Sequence, residues 1–208
     1  MKQIVCYGDS NTWGYDPYTA GRYQWGVRWT SILQEKLSFE KVHIIEEGLC
    51  GRTTVFEDEF REGRRGIETL SFLLESHSPV DVFVLMLGTN DCKSVYHANE
   101  NVIGMGIESL LQVVRQLQPQ AEILLISPIH LGEQVWKPEF DPEFDEQSVQ
   151  VSRRLKNVYE EIAKKYGIQF LAASDYAQFS TADMEHMDGQ GHERLAEAIY
   201  KKLLPMVA

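Results

Sequence analysis

Apolar residues along this chain fall either in short continuous runs or in longer amphipathic stripes. Five runs have the length and continuity of strands buried on both faces: Gln3–Tyr7, Val42–Ile45, Val82–Leu87, Glu122–Ile126 and Gln169–Leu171. Helical periods lie between them. Trp25, Trp29, Ile32, Leu33 and Leu37 step around one face of a segment near 24–38. Ile107, Leu110, Leu111, Val114 and Leu117 recur at three- and four-residue steps and stop before Pro119. Leu155, Val158, Ile162 and Tyr166 make a third stripe, ended by Gly167. Leu195, Ile199, Leu203 and Leu204 make a fourth. Stripes of this kind are the core-facing sides of helices.

This alternation, with no internal repeat and no flexible linker, predicts a single α/β domain over residues 1–208. The expected architecture is a three-layer, flavodoxin-like sandwich: a central parallel five-stranded sheet with helices on both faces. In such folds ligands sit beyond the carboxyl ends of the strands, so the chemistry is expected in the segments that follow each strand.

After the first strand comes Gly8-Asp9-Ser10-Asn11-Thr12-Trp13-Gly14. A serine there can offer its hydroxyl as a nucleophile and its own N–H as an oxyanion donor. The same residues are ordinary turn formers, and the run is not a Gly-x-Ser-x-Gly elbow. After the second strand, Gly51 can let a backbone N–H approach a ligand closely. After the third, Gly88-Thr89-Asn90-Asp91 offers an amide that donates without adding charge. Late in the chain, Asp183 and His186 can supply from one turn the carboxylate and the imidazole that a serine nucleophile needs. Among the other histidines, His43 lies in a strand pattern, His77 and His97 flank loops, and His192 opens the last helix as a structural residue. His130 follows the fourth strand, where it can line a site.

Composition removes several other classes. With 43% hydrophobic and 25% charged residues the 208-residue chain has the makings of a folded core rather than a disordered segment. Thirty-one acidic residues against 20 basic ones leave a net charge of −11. The densest basic groups, Arg61/Arg64/Arg65 and Lys164/Lys165, are short and mixed with acids, so no footprint for nucleic acid is expected. The longest apolar runs, Val82–Leu87 and Ile123–Ile126, fall far short of the roughly 20 residues a membrane-spanning helix requires. The first eight residues lack the apolar core of an export signal, which predicts a cytoplasmic protein. Cys6, Cys50 and Cys92 stand at no ligand spacing, so neither a disulfide nor a metal is expected. The aperiodic stretch Gly132–Gln147 sets Trp136, Phe140 and Phe144 among six acids and reads either as a substrate loop or lid, or as a subunit interface.

Taken in order along the chain, these motifs resemble the SGNH hydrolases, also called the GDSL lipase/esterase superfamily. The blocks are Gly8-Asp9-Ser10, Gly51, Gly88-Thr89-Asn90-Asp91 and Asp183-x-x-His186. The chain is most similar to the arylesterase and acyltransferase branch. That likeness rests on Gly8 through Tyr15, Arg28-Trp29-Thr30, Ile45-Glu46-Glu47-Gly48-Leu49, Gly51-Arg52-Thr53-Thr54 and Met86-Leu87-Gly88-Thr89-Asn90-Asp91. The resemblance implies a serine esterase that cleaves short acetyl or aryl esters through an acyl-serine intermediate. Some members of the branch also transfer the acyl group to alcohols or to peroxide.

Carried over, it makes Ser10 the nucleophile, His186 the base and Asp183 its orienting partner. The N–H groups of Ser10 and Gly51 and the amide of Asn90 form the oxyanion hole, and Asp9 holds the turn. It further implies a small-molecule ester as partner, no cofactor, and a homo-oligomer that narrows the entrance to the site. Trp13, Cys50, His130 and Trp136 are the candidate substrate-binding residues. The chain departs from the branch at Cys50, where a small hydroxyl residue is usual, and at Met187-Asp188-Gly189-Gln190 after the histidine. A carbohydrate O-acetyl esterase would use the same catalytic groups. A non-catalytic binding module on this fold would be marked by loss of Ser10, Asn90 or His186, and all three are present. A cysteine-based enzyme is disfavoured by the lack of any Cys-x-x-Cys.

Overall fold

The structure is a computed structural model that describes residues 1–207. Its five long strands are β1 (Lys2–Gly8), β4 (Val42–Gly48), β5 (Val82–Met86), β6 (Glu122–Ser127) and β7 (Gln169–Ala172). They form one parallel sheet in the order β4-β1-β5-β6-β7, with Gly8 paired to both Gly48 and Met86. A two-stranded hairpin, β2 (Tyr15–Asp16) and β3 (Gly21–Arg22), stands apart from it. The helices are α1 (Ser10–Trp13), α2 (Trp29–Leu37), α3 (Gly66–Ser76), α4 (Glu100–Leu117), α5 (Glu146–Tyr166) and α6 (Gly189–Leu203).

Successive strand residues point to opposite faces, and each face has its own apolar layer. Ile4, Cys6, Val82 and Val84 face α2 and α6, where they meet Trp29, Leu33, Leu195 and Ile199. Val5, Tyr7, Phe83 and Leu85 face α3, α4 and α5, where they meet Leu70, Leu74, Ile107, Leu111 and Leu155. Each fully buried Leu or Ile contributes about 1.5–3 kcal/mol. These are the three layers the sequence predicts, in the flavodoxin-like order.

The differences from the sequence pattern have local causes. Trp25 does not belong to the stripe of α2. It sits in the turn before that helix, 53% exposed, with the Arg28 guanidinium over its ring. Leu204 likewise falls past the end of α6 and is exposed. The helix α3 was not expected. Ile67, Leu70, Leu73 and Leu74 face inward, but Phe72 stands 73% exposed on its outer side and breaks the apolar period. Among the described residues, no helix is long and apolar enough to cross a membrane.

Candidate active site

All the chemistry-bearing segments meet at the carboxyl edge of the sheet. Strand β1 ends at Gly8, and Asp9 then caps α1, its carboxylate accepting the Asn11 N–H at 3.0 Å. Ser10 is the first residue of that helix, where a backbone N–H has no intrahelical acceptor. Burial pushes the Asp9 carboxyl up to about 6 against the pull of the Asn11 N–H and the His186 charge.

The turn before α6 is organised by Asp183. One carboxylate oxygen accepts the N–H groups of Glu185 and His186 at 3.0 Å each, and the other pairs with His186 Nδ1 at 2.6 Å. His186 Nε2 lies 2.7 Å from Ser10 Oγ, although 176 residues separate the two in sequence. The turn is tied to the serine loop a second time, by Met187 N–H donating to Asn11 Oδ1 at 3.0 Å. The Tyr15 ring packs on the imidazole with centroids 4.3 Å apart.

Electrostatics set the imidazole apart. Burial works against the imidazolium, but the Glu185, Asp183 and Asp9 carboxylates outweigh it and lift His186 to about 9. Burial also raises Asp183. Its hydrogen bond to His186, the His186 charge and two backbone N–H groups more than offset this and hold it below the usual carboxylate range.

Two further loops close the site. Gly51 sits at φ +83°, and the Arg61 guanidinium passes so near that a Cβ there would lie 2.6 Å from Nη1. Gly88 sits at φ +126°, and a Cβ would lie 2.3 Å from the Tyr159 hydroxyl, which donates to Leu87 O at 2.9 Å. Glycine is therefore required at both positions. The loops are locked together, as Asn90 Nδ2 donates to Arg52 O at 3.2 Å and Arg52 Nη1 to Gly8 O at 2.8 Å. Fully buried Asp91 accepts from the Thr54 N–H at 2.9 Å and from its hydroxyl, fixing the loop that carries Gly51 against the one that carries Asn90.

Ser10, Gly51, Asn90, Asp183 and His186 line a single cleft of about 250 Å³. Of the residues expected to bind substrate, Cys50 lines it too, with a thiol that burial and the Asp9 charge push up to about 11. Trp13, His130 and Trp136 do not. Trp13 follows Ser10 on the short helix but turns away under the Arg22 guanidinium, 5.3 Å from its ring centre. His130 is half-buried near Arg153 and Lys156, and Trp136 is partly buried against the apolar layer that α3, α4 and α5 share. From the stretch 132–147 it is Phe140, Asp141 and Glu143 that reach the cleft, while Phe144 is buried in the core. Tyr15, Arg61, Lys93 and Glu185 also line the cleft and were not expected there. Lys93 is held by Glu143 at 2.5 Å. His192 is fully buried in the first turn of α6 and accepts the Trp29 N–H on Nδ1 at 3.4 Å, which places it in the packing. Among the described residues, no group of three or more His, Cys, Asp or Glu side chains is arranged to hold a metal ion.

A three-layer α/β fold with a serine, an imidazole and a carboxylate in line at the sheet's carboxyl edge defines the class as that of the SGNH enzymes. The family model for the GDSL-like lipase/acylhydrolase family matches residues 6–195, and the chain belongs to that family. It is a carboxylic ester hydrolase. Among solved structures it is similar to a carbohydrate acetylesterase family member from Sinorhizobium meliloti, at 34% identity and TM-score 0.93 over 100% of this chain and 99% of that one. A carbohydrate acetylesterase from the same organism is 31% identical, with TM-score 0.91 over 99% of this chain and 100% of the other. The native aryl esterase of M. smegmatis is 28% identical, with TM-score 0.90 over 99% of this chain and 100% of that one. No curated protein matches the chain.

Proposed function

We propose that the enzyme cleaves short-chain acyl esters through a covalent acyl-serine intermediate. The observation that carries this reading is the unbroken chain from Ser10 Oγ to His186 Nε2 at 2.7 Å and from His186 Nδ1 to Asp183 Oδ2 at 2.6 Å. Ser10 attacks the ester carbonyl while His186 takes its proton, and Asp183 holds the imidazole in register. The oxyanion that forms is held by the N–H groups of Ser10 and Gly51 and by the Asn90 amide. Each such donor is worth about 3 kcal/mol in the transition state. The alcohol leaves with the proton returned by His186. Water or an acceptor alcohol then takes the acyl group, so hydrolysis and acyl transfer share one intermediate.

A second reading concerns the alcohol. Arg61, Lys93, Asp141, Glu143 and Glu185 outnumber the two aromatic rings of Tyr15 and Phe140 around the cleft. A wall of that polarity supports a hydroxyl-rich alcohol, as in carbohydrate O-acetyl esters, over a flat aryl group.

The decisive experiment is 4-nitrophenyl acetate turnover by wild type and Ser10→Ala, purified in parallel. The expected result is a loss of at least ~10³-fold with the fold intact, because the three residues act as a unit. Equal rates in the two proteins would overturn the acyl-serine reading.

A further inference from the structure

The cleft contains one carboxyl group that the acyl-serine chemistry does not use. Glu185 is only 7% exposed, yet it lines the cleft, and its Oε1 lies 3.8 Å from His186 Nε2. At that distance it is not hydrogen-bonded to the imidazole, whose Nε2 is already paired with Ser10. The other charged groups that face Glu185 have partners of their own. Asp183 is spent on His186, Lys93 on Glu143, and Asp141 accepts the Glu143 N–H at 2.9 Å. The Tyr15 hydroxyl also senses the Glu185 charge. Among the described residues no donor hydrogen-bonds the Glu185 carboxyl, which burial pushes up to about 7, so a buried acceptor faces the reacting atoms unpaired, and above that value it does so as an anion. Leaving such a group unmatched is costly, and a ligand that brings a donor recovers that cost.

Its position says which part of the substrate that donor belongs to. His186 Nε2 returns its proton to the leaving oxygen, which must sit on the order of 3 Å away. A carboxylate 3.8 Å from the same nitrogen therefore stands beside the leaving alcohol, not the acyl chain. A hydroxyl on the carbon adjacent to the one that bears the ester oxygen would lie one hydrogen bond from Glu185. Arg61 and Lys93 line the same cleft of about 250 Å³, but Asp141, Glu143 and Asp183 offset their charge, so a cationic alcohol is tested beside the hydroxyl-bearing one.

We propose that Glu185 is the specificity-determining residue on the leaving-group side: its carboxylate accepts a hydrogen bond from a hydroxyl vicinal to the ester oxygen, so the enzyme favours monoacyl esters of 1,2-diols. The proposal rests on the acyl-serine reading above and names its alcohol. In the step concerned, the acyl carbon–oxygen bond breaks and the leaving oxygen takes the proton from His186 Nε2. The neighbouring hydroxyl keeps its own proton throughout and only shares it with Glu185.

The test compares kcat/KM for 2-hydroxyethyl acetate and 2-methoxyethyl acetate, in which a methyl group replaces the one donor hydrogen. Wild type, Glu185→Gln and Glu185→Leu are measured, with Ser10→Ala as the blank. The ratio of the two esters within one protein does not depend on how much of a variant folds. The wild-type ratio is expected to be roughly 10- to 100-fold, the range of a hydrogen bond to a charged group. It should fall to within about 2-fold in Glu185→Leu and be partly kept in Glu185→Gln, whose amide oxygen still accepts. Equal rates for the two esters in wild type, with turnover that depends on Ser10, would overturn the Glu185 proposal and leave the acyl-serine reading standing. So would an unchanged ratio in Glu185→Leu, or acetylcholine outrunning 2-hydroxyethyl acetate. No Ser10-dependent turnover of either ester would overturn both.

Discussion

His186 and His192 are both nearly removed from solvent, at 8% and 0% exposed, one in the turn before α6 and the other in its first turn. Their chemistry is opposite. His186 has both ring nitrogens engaged and carboxylates at close range, which lift it to about 9. His192 has only the Trp29 N–H on one nitrogen, and its Nε2 has no partner among the described residues. Burial, with the charges of His186 and Arg28 beyond what Asp188 offsets, drives it down to about 3. Burial alone thus produces a neutral packing residue, and the same burial with carboxylates close by produces an imidazole that keeps its proton to higher pH and is hydrogen-bonded to a hydroxyl.

Removing each imidazole should break the comparison most sharply. His186→Ala is expected to lose at least ~10³-fold in kcat on 4-nitrophenyl acetate, because it takes the base from a unit of three. His192→Asn, measured beside it, should stay within a few-fold and show its effect in the unfolding midpoint instead. Comparable losses of kcat in two folded variants would erase the distinction.

The pH profile sharpens it next. On the acyl-serine reading the reacting form needs a neutral imidazole, so kcat/KM should climb from neutral pH toward the His186 value of about 9. Glu185 is the foremost group raising that value. Glu185→Gln should therefore move the acid limb to lower pH, whereas His192→Asn should leave it in place. A limb that stays put in Glu185→Gln would show that Glu185 does not act on His186.

The smallest expected effect is on stability. The His192 pKa is lower in the folded chain than in the unfolded one, so between about 6.5 and about 3 the unfolded chain binds the extra proton. Its contribution is complete above about 6.5 and is lost as pH falls through that window. His186 runs the other way, its contribution present below about 6.5 and lost as pH rises through about 9. Urea unfolding at pH 7 and pH 5 should show a smaller drop for His192→Asn than for wild type. An equal or larger drop would place the acid sensitivity elsewhere.

Parts of this site could be read from short stretches of sequence. Asp183 and His186 lie one turn apart, and the contact between them needs only that turn to form, so their pairing was legible. Ser10, Gly51 and Asn90 were legible as well, because each follows a strand whose apolar run is plain and strand ends gather at one edge of a parallel sheet. Trp13, His130 and Trp136 were not placed correctly by the same logic. Sequence puts a residue near a strand end, but packing decides which way its side chain turns, and these three lie by Arg22, by Arg153 and Lys156, and against the core. The pairing of Lys93 with Glu143 escaped notice for a further reason, since nothing local signals a pair formed across 50 residues. The hairpin of β2 and β3 was equally silent, at two residues per strand.

The sequence by itself determined the layered α/β fold and singled out Ser10, His186 and Asp183 as the candidate serine, histidine and aspartate. Periodicity and turn chemistry are local properties, and local properties survive in a linear string. Only the tertiary structure decided that 176 residues of chain close to a 2.7 Å contact at Ser10. It alone decided that Arg61 covers Gly51, and that Glu185 faces the cleft without a partner. Those outcomes depend on how two apolar layers seat their helices on the sheet, and that packing is settled by the whole chain at once.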